Sequence, residues 1–244
     1  MKKVIITGAS GSIGRAITRV LASKDSLLFL HYRRENPEFT KAVQFLKQEG
    51  MPFLLYQADF KEQLQIDQMM SFALEQLGSV DLLVNNAGLG YSGLIQEMSL
   101  EQWQDLLQIN LTSVFTTTQR VLPGMIQKKC GNIINISSIW GMCGASCEVA
   151  YSATKAAIIG FSKALAAEIG PCGIRVNCIT PGVIDTPMNS MYSPQELANL
   201  AEDIPLLRLG NPEEVASLVR FLASEEASYI TGQSISPNGG LLRM

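Results

Sequence analysis

Three side chains in the second half of the chain carry complementary chemistry. An apolar run, Ile133–Ile136, ends at Ser137 and Ser138. Tyr151 follows thirteen residues after Ser138, and Lys155 four residues after that. A step of four places the tyrosine and the lysine on one face of a helix, a turn apart. A serine at a strand end can face that pair across a cleft. The set then offers a hydroxyl to polarise a carbonyl, a phenol to give or take a proton, and a cation to hold the phenol's charge. Those are the needs of reversible ketone reduction. A turn serine beside an ordinary amphipathic helix would show the same short pattern, so the elements around it must decide.

Those elements begin at the N-terminus. Residues 3–6 read as a short buried strand, Thr7–Gly14 as a glycine-rich turn, and Arg15–Ser23 as a helix with Ala16, Ile17, Val20 and Leu21 on one face. Strand, glycine turn and helix make a phosphate cradle. Glycine lets the backbone approach a pyrophosphate, and the helix start offers free N–H groups and a positive dipole end. Gly8, Ser10, Gly11, Ser12, Ile13 and Gly14 are the candidate cradle residues. A second strand over 27–32 runs into Arg33 and Arg34. An acid there would bond a ribose 2′-hydroxyl, whereas guanidinium groups fork onto a 2′-phosphate. NADP(H) is therefore the expected cofactor, with NAD(H) possible, since Glu35 follows closely. His31 reads as a polar strand end or as a contact to ribose or phosphate.

Further along, 40–50 reads as a helix and Phe53–Gln57 as a strand. Asp59 either bonds an adenine edge or caps the helix that runs on to Leu77. Asp81–Val84 is a strand ending in Asn85, Asn86, Ala87 and Gly88, small and amide residues suited to close approach of a ligand at a strand's carboxyl end. Residues 100–110 and 112–127 read as two helices, with Asn110 a polar residue that needs a partner. A long helix is expected over 146–169 and a strand over 174–180, followed by Pro181–Pro187. Residues 187–204, with Met188, Met191 and Tyr192, are expected to form a substrate lid. A helix over 212–224 and a last strand over 229–237 complete the chain. This alternation predicts one doubly wound α/β domain over 1–244, with a mostly parallel sheet.

Bulk properties exclude several function classes. The 244 residues are 47% hydrophobic and 17% charged, which describes a large core and no disorder. A net charge of −3 without a basic stretch argues against nucleic-acid binding. No apolar segment is long enough for a membrane span. Five cysteines, an odd number, read as reduced thiols in a cytoplasmic protein, and one histidine without a Cys-x-x-Cys pair makes a metal site improbable.

Thr7–Gly14, Asn85–Gly88, Asn110, Ser138, Tyr151 with Lys155, and Pro181–Thr186 together resemble the short-chain dehydrogenase/reductase family over nearly the full length. The resemblance implies a Rossmann sheet of about seven strands and a homodimer or homotetramer. It implies a catalytic tetrad of Asn110, Ser138, Tyr151 and Lys155, with Lys155 and oxidised nicotinamide lowering the Tyr151 pKa and Asn110 holding a water. It places Asp59 at the adenine, Asn86 near the ribose, and Ile184 and Thr186 at the carboxamide end of the nicotinamide, with Ala87, Gly88, Pro181 and Gly182 as further cofactor-binding residues. Ser12 departs from the family's usual glycine. Within the family, Asn110–Phe115, Tyr229–Gly232 and Asn238–Gly240 are similar to 3-oxoacyl-[acyl-carrier-protein] reductases. In that group the carrier docks on basic residues; Lys129 keeps one, Cys172 stands at another, and Lys128 or Arg175 are the candidate substitutes. Ile136–Gly141 and Gly144–Val149 resemble reductases of elongation factor P carrying 5-aminopentanone. In that reading Glu148 faces a cationic amine. Ser138, Trp140, Met188, Met191 and Tyr192 are the other candidate substrate-binding residues. The adaptable Met188 and Met191, with Tyr192, also suit the varied apolar substrates of a small-ketone or steroid dehydrogenase, an alternative that stays open beside a non-catalytic NADP(H)-binding regulator.

Overall fold

The computed structural model describes residues 1–187 and 193–243. Seven strands form one parallel sheet: β1 (Lys2–Ile6), β2 (Ser26–Tyr32), β3 (Phe53–Gln57), β4 (Leu82–Asn85), β5 (Gly131–Ile136), β6 (Ile174–Ile179) and β7 (Ser234–Ile235). Their spatial order is β3-β2-β1-β4-β5-β6-β7, so the chain turns back across the sheet between β1 and β4. The expected doubly wound α/β domain is what forms.

The strands are apolar on both faces because both faces are covered. Val4, Leu28, Leu82 and Ile134 pack under α1 (Ser12–Leu21), α2 (Pro37–Gln48) and α9 (Pro212–Leu222). Their immediate neighbours Ile5, Phe29, Leu83 and Ile133 point the other way. They meet α3 (Gln63–Leu77), α5 (Ser113–Lys128) and α7 (Val149–Ile169). Buried amides tie the second layer to the sheet. Asn85 donates to Asn135 at 2.9 Å and accepts from Thr117 at 2.8 Å, and Asn135 donates to Ser162 of α7 at 2.9 Å.

Several boundaries differ from those expected. The long helix starts at Val149 and not at 146, because Cys147 sits in the left-handed region (φ 61°) and Glu148 is the residue before the first turn. A short helix, α6 (Trp140–Cys143), fills part of the gap. The helix over 40–50 starts earlier, at Pro37, because the Asn36 side chain caps it by accepting from the Phe39 N–H. Asp59 does not cap α3, which begins at Gln63. Its carboxylate accepts from the nearby Lys61 N–H instead. The two helices expected on either side of residue 111 are joined. α4 (Leu100–Leu107) runs through a π-helical turn, Gln108–Thr112, directly into α5. The last strand is two residues long, not nine, since only Cys178 and Ile179 of β6 pair with it. A short helix, α8 (Pro194–Glu202), occupies part of the expected lid; Met188, Met191 and Tyr192 lie outside the described residues.

Candidate active site

A cleft of about 760 Å³ opens at the carboxyl ends of the central strands, beside the point where the strand order reverses. Ligands of open parallel sheets bind at this position. One end of the cleft is the glycine turn. Gly8 has φ +67°, which L side chains rarely adopt, and a Cβ there would lie 2.8 Å from the Ala87 Cα. A Cβ at Gly14 would lie 2.1 Å from the Gly8 carbonyl oxygen. Both glycines are therefore required by close backbone approach. Ser12 needs no such freedom. It is the first residue of α1, and Gly11 before it has an ordinary extended conformation (φ −70°), so the serine is accommodated where glycine is usual. Gly11 provides no side-chain cap, which leaves the first N–H groups of α1 aimed at the cleft with the helix dipole behind them.

Sequence reading missed how this turn is held. Asn86 donates to the carbonyls of Thr7 at 3.0 Å and Gly8 at 3.1 Å. Arg15 donates to the Ser10 carbonyl at 2.6 Å, and Asn36 donates to the same oxygen at 3.1 Å. Only Thr7–Gly14 carried a readable spacing; Arg15 and Asn36 act through a bond to a carbonyl, which leaves no mark on residue type. Arg33 and Arg34 are exposed side chains lining this end of the cleft, and Asp59 lines it too. Glu35 does not line it.

At the other end the structure brings Ser138, Tyr151 and Lys155 together, all buried. The turn after β5 wraps the lysine. Ser137 donates to the Lys155 carbonyl at 2.7 Å, and the Lys155 ammonium donates to the Ile136 carbonyl at 3.0 Å. The lysine nitrogen lies 5.6 Å from the centre of the Tyr151 ring. Gly88 leaves the lysine accessible from the β4 side: a Cβ there would lie 3.3 Å from the lysine nitrogen and 3.5 Å from Asn110 Oδ1.

Asn110 finds the partners its burial demands, but it stands behind the cleft wall. Its Oδ1 accepts from the Leu89 N–H at 2.8 Å, and its Nδ2 donates to the Leu89 carbonyl at 2.9 Å and to Thr154 at 3.2 Å. The π-helical turn that carries it is a feature frequent at functional sites. Ile184, Thr186, Pro181 and Gly182 line the cleft as well. Trp140 and Tyr91 line it in the apolar cluster that holds Tyr151, and the Glu148 carboxylate lies close enough to act on that phenol.

Burial governs the charges here. It pushes the Tyr151 phenol up to about 12, a hydrogen bond with Ser138 pulls it down, and the Glu148 carboxylate pushes it up again. It drives Lys155 down to about 8. The expected lowering of Tyr151 by Lys155 is thus not produced by the chain's own groups: removal from water outweighs the neighbours.

The glycine cradle and the bare helix start fit the pyrophosphate of a dinucleotide. Comparison with known proteins agrees with the geometry. Residues 2–197 match the family model of the short chain dehydrogenases. The chain is 42% identical over 240 residues to the uncharacterized oxidoreductase YmfI of Bacillus subtilis, covering 98% of each. It is 40% identical to the nodulation protein G of a Rhizobium species (98% of this chain, 96% of the relative). It is 38% identical to the 3-oxoacyl-[acyl-carrier-protein] reductase FabG of Staphylococcus epidermidis, covering 98% of each. With the Ser138, Tyr151 and Lys155 cluster set at the end of a dinucleotide cleft, the chain belongs to the short-chain dehydrogenase family and is an NAD(P)-dependent oxidoreductase.

Proposed function

We propose that the protein reduces a ketone to a secondary alcohol using NADPH. The observation that carries this reading is the cluster of one hydroxyl, one phenol and one amine, buried together at one end of a cleft whose other end bears two arginines. NADPH supplies the hydride. Ser138 holds the substrate oxygen, and Tyr151 gives that oxygen its proton. A phenol held high by burial is fully protonated in neutral solution, which suits a donor in the reducing direction. Lys155, as a cation, stabilises the phenolate left behind and anchors ribose hydroxyls. Asn110 fixes the Leu89 backbone and orders water beside Lys155. Arg33 and Arg34 receive the 2′-phosphate, and Asp59 meets the adenine.

Two ketones come into question. Relatives named as 3-oxoacyl-[acyl-carrier-protein] reductases support an acyl thioester on a carrier protein. The docking face gives that reading limited support. Lys129 is exposed, but Cys172 supplies no charge. Lys128 is paired with Asp81, and Arg175 is spent on the carbonyls of Leu222 at 2.8 Å, Ser224 at 3.3 Å and Ile230 at 3.3 Å. The expected substitutes for a basic patch are thus engaged elsewhere. The second reading, a 5-aminopentanone on a lysine of elongation factor P, is favoured by the border of the cleft. A carboxylate, Glu148, and two aromatic rings, Tyr91 and Trp140, share the Tyr151 end, a composition suited to a cationic amine. The test is NADPH consumption with acetoacetyl thioester and with the modified elongation factor side by side. Turnover of neither, by protein that binds NADPH, would overturn both substrates. Turnover of the thioester alone would leave Glu148 as a helix-terminal carboxylate.

A further inference from the structure

One buried titratable group at the cofactor end takes no part in the chemistry above. His31, the chain's single histidine, is 2% exposed near the end of β2. Its ring lies flat on Phe60, centroids 3.9 Å apart and planes 4° from parallel. Nε2 is 3.1 Å from the Ala58 carbonyl oxygen. A carbonyl only accepts, so Nε2 carries the proton. In a neutral ring Nδ1 is then an acceptor. The Gly8 N–H donates to it at 3.1 Å. The main-chain carbonyl of His31 accepts from the Ala9 N–H at 2.8 Å. His31 thus takes two successive donors of the glycine turn, from a position 23 residues away in sequence.

We propose that His31 is a positioning residue for cofactor binding, a neutral imidazole in the Nε2–H tautomer that fixes the peptide of Gly8. Taken together with the bare start of α1, its bonds divide the labour of the turn. The Gly8 and Ala9 donors are committed to His31, and the donors at the start of α1 remain for the pyrophosphate. Gly8 is held at φ +67°, the conformation from which its carbonyl receives Asn86. Only a neutral ring can do this, since an imidazolium has no lone pair for the Gly8 N–H. Burial supports that state by driving the ring well below its ordinary value, although the Ala58 bond and the charge of Asp59 oppose it. The inference rests on the reading of the cleft as a dinucleotide site.

Two measurements test it. Because the chain has one histidine, a spectrum of protein labelled with ¹⁵N-histidine reports this ring alone. The expected pattern at pH 7 is a protonated Nε2 and an unprotonated Nδ1; an imidazolium, or the other tautomer, overturns the proposal. The second is cofactor affinity and kinetics of His31→Phe and His31→Asn. Phenylalanine keeps the stacking and loses the acceptor, whereas asparagine can offer an oxygen near the place of Nδ1. The Phe variant is expected to raise Kd and KM for NADPH and NADH alike, by about tenfold, with kcat within about twofold, and the Asn variant to recover most of the loss. Unchanged affinity in the Phe variant, or equal loss of kcat in both variants, overturns the positioning role. If the unaltered protein binds neither dinucleotide, the cofactor reading fails first and the proposal falls with it.

Discussion

Tyr151 and Lys155 are driven in opposite directions by the same burial, and each gives a test at the scale of one residue. Tyr151→Phe removes the transferable proton and little else. Ketone reduction is expected to fall by about 10²–10⁴-fold, with NADPH affinity, read by fluorescence, unchanged. Normal turnover would remove Tyr151 as the donor. For Lys155 the sign follows from its lowered pKa. Below about 8 the amine is a cation, and as pH rises through that value the charge is lost. Tyr151, held up at about 12, keeps its proton over the same interval. The kcat profile of the reduction is therefore expected to be level from about pH 6 and to fall on the alkaline side with a midpoint near 8. A fall confined to the acid side would contradict it. At the far end of the cleft, Arg33→Ala with Arg34→Ala is expected to weaken NADPH by about tenfold or more while NADH changes little. Equal losses in the two titrations would dispose of the 2′-phosphate argument.

At the scale of the element, the site depends on how closely α6 approaches α7. A Cβ on Gly141 would lie 2.6 Å from the Lys155 carbonyl carbon and 2.8 Å from the Ala156 nitrogen, both backbone atoms that cannot step aside. Gly141→Ala is expected to push the two helices apart at the lysine and to lower kcat about tenfold or more, with the cofactor KM little affected. The reverse pattern in steady-state kinetics would place the strain elsewhere. The elements themselves were largely legible in the residues. Glycines at every third position after an apolar run (Gly8, Gly11, Gly14), and a tyrosine and lysine one helical turn apart, are local signals that survive without tertiary context. What stayed hidden is non-local. β7 is two residues long because only Cys178 and Ile179, at the end of β6, pair with it, and α7 starts late because of the left-handed backbone at Cys147. The work of His31 and Arg15 is directed at main-chain atoms elsewhere in the turn, so residue type alone could not reveal it. Helix propensity also has no means of showing a π-helical turn between α4 and α5, where the chain reads as two helices with a break.

For the molecule as a whole, apolar side chains remain on the outside. Phe115 is 47% and Ile126 43% exposed, both on α5. We propose that these two side chains are covered by a second copy of the chain. Sedimentation is expected to give a mass that is a multiple of 26.6 kDa, and Phe115→Glu to shift it toward one chain. A monomer in the unaltered protein would refute the assembly. Among the described residues no helix is long and apolar enough to cross a membrane.

The strand order has a consequence in time as well as in space. Val4 of β1 pairs with Leu28 on one side and with Leu82 on the other, and Leu82 of β4 pairs in turn with Asn132 of β5. Each pairing closes a longer stretch of chain than a hairpin would, and the entropy of that closure must be met before any contact repays it. Helices can form early from local contacts, while the cleft exists only after β4 has docked beside β1 and the turn after β5 has closed on Lys155. During refolding, recovery of helical signal should therefore lead, and recovery of cofactor binding should trail it, with catalytic competence returning last.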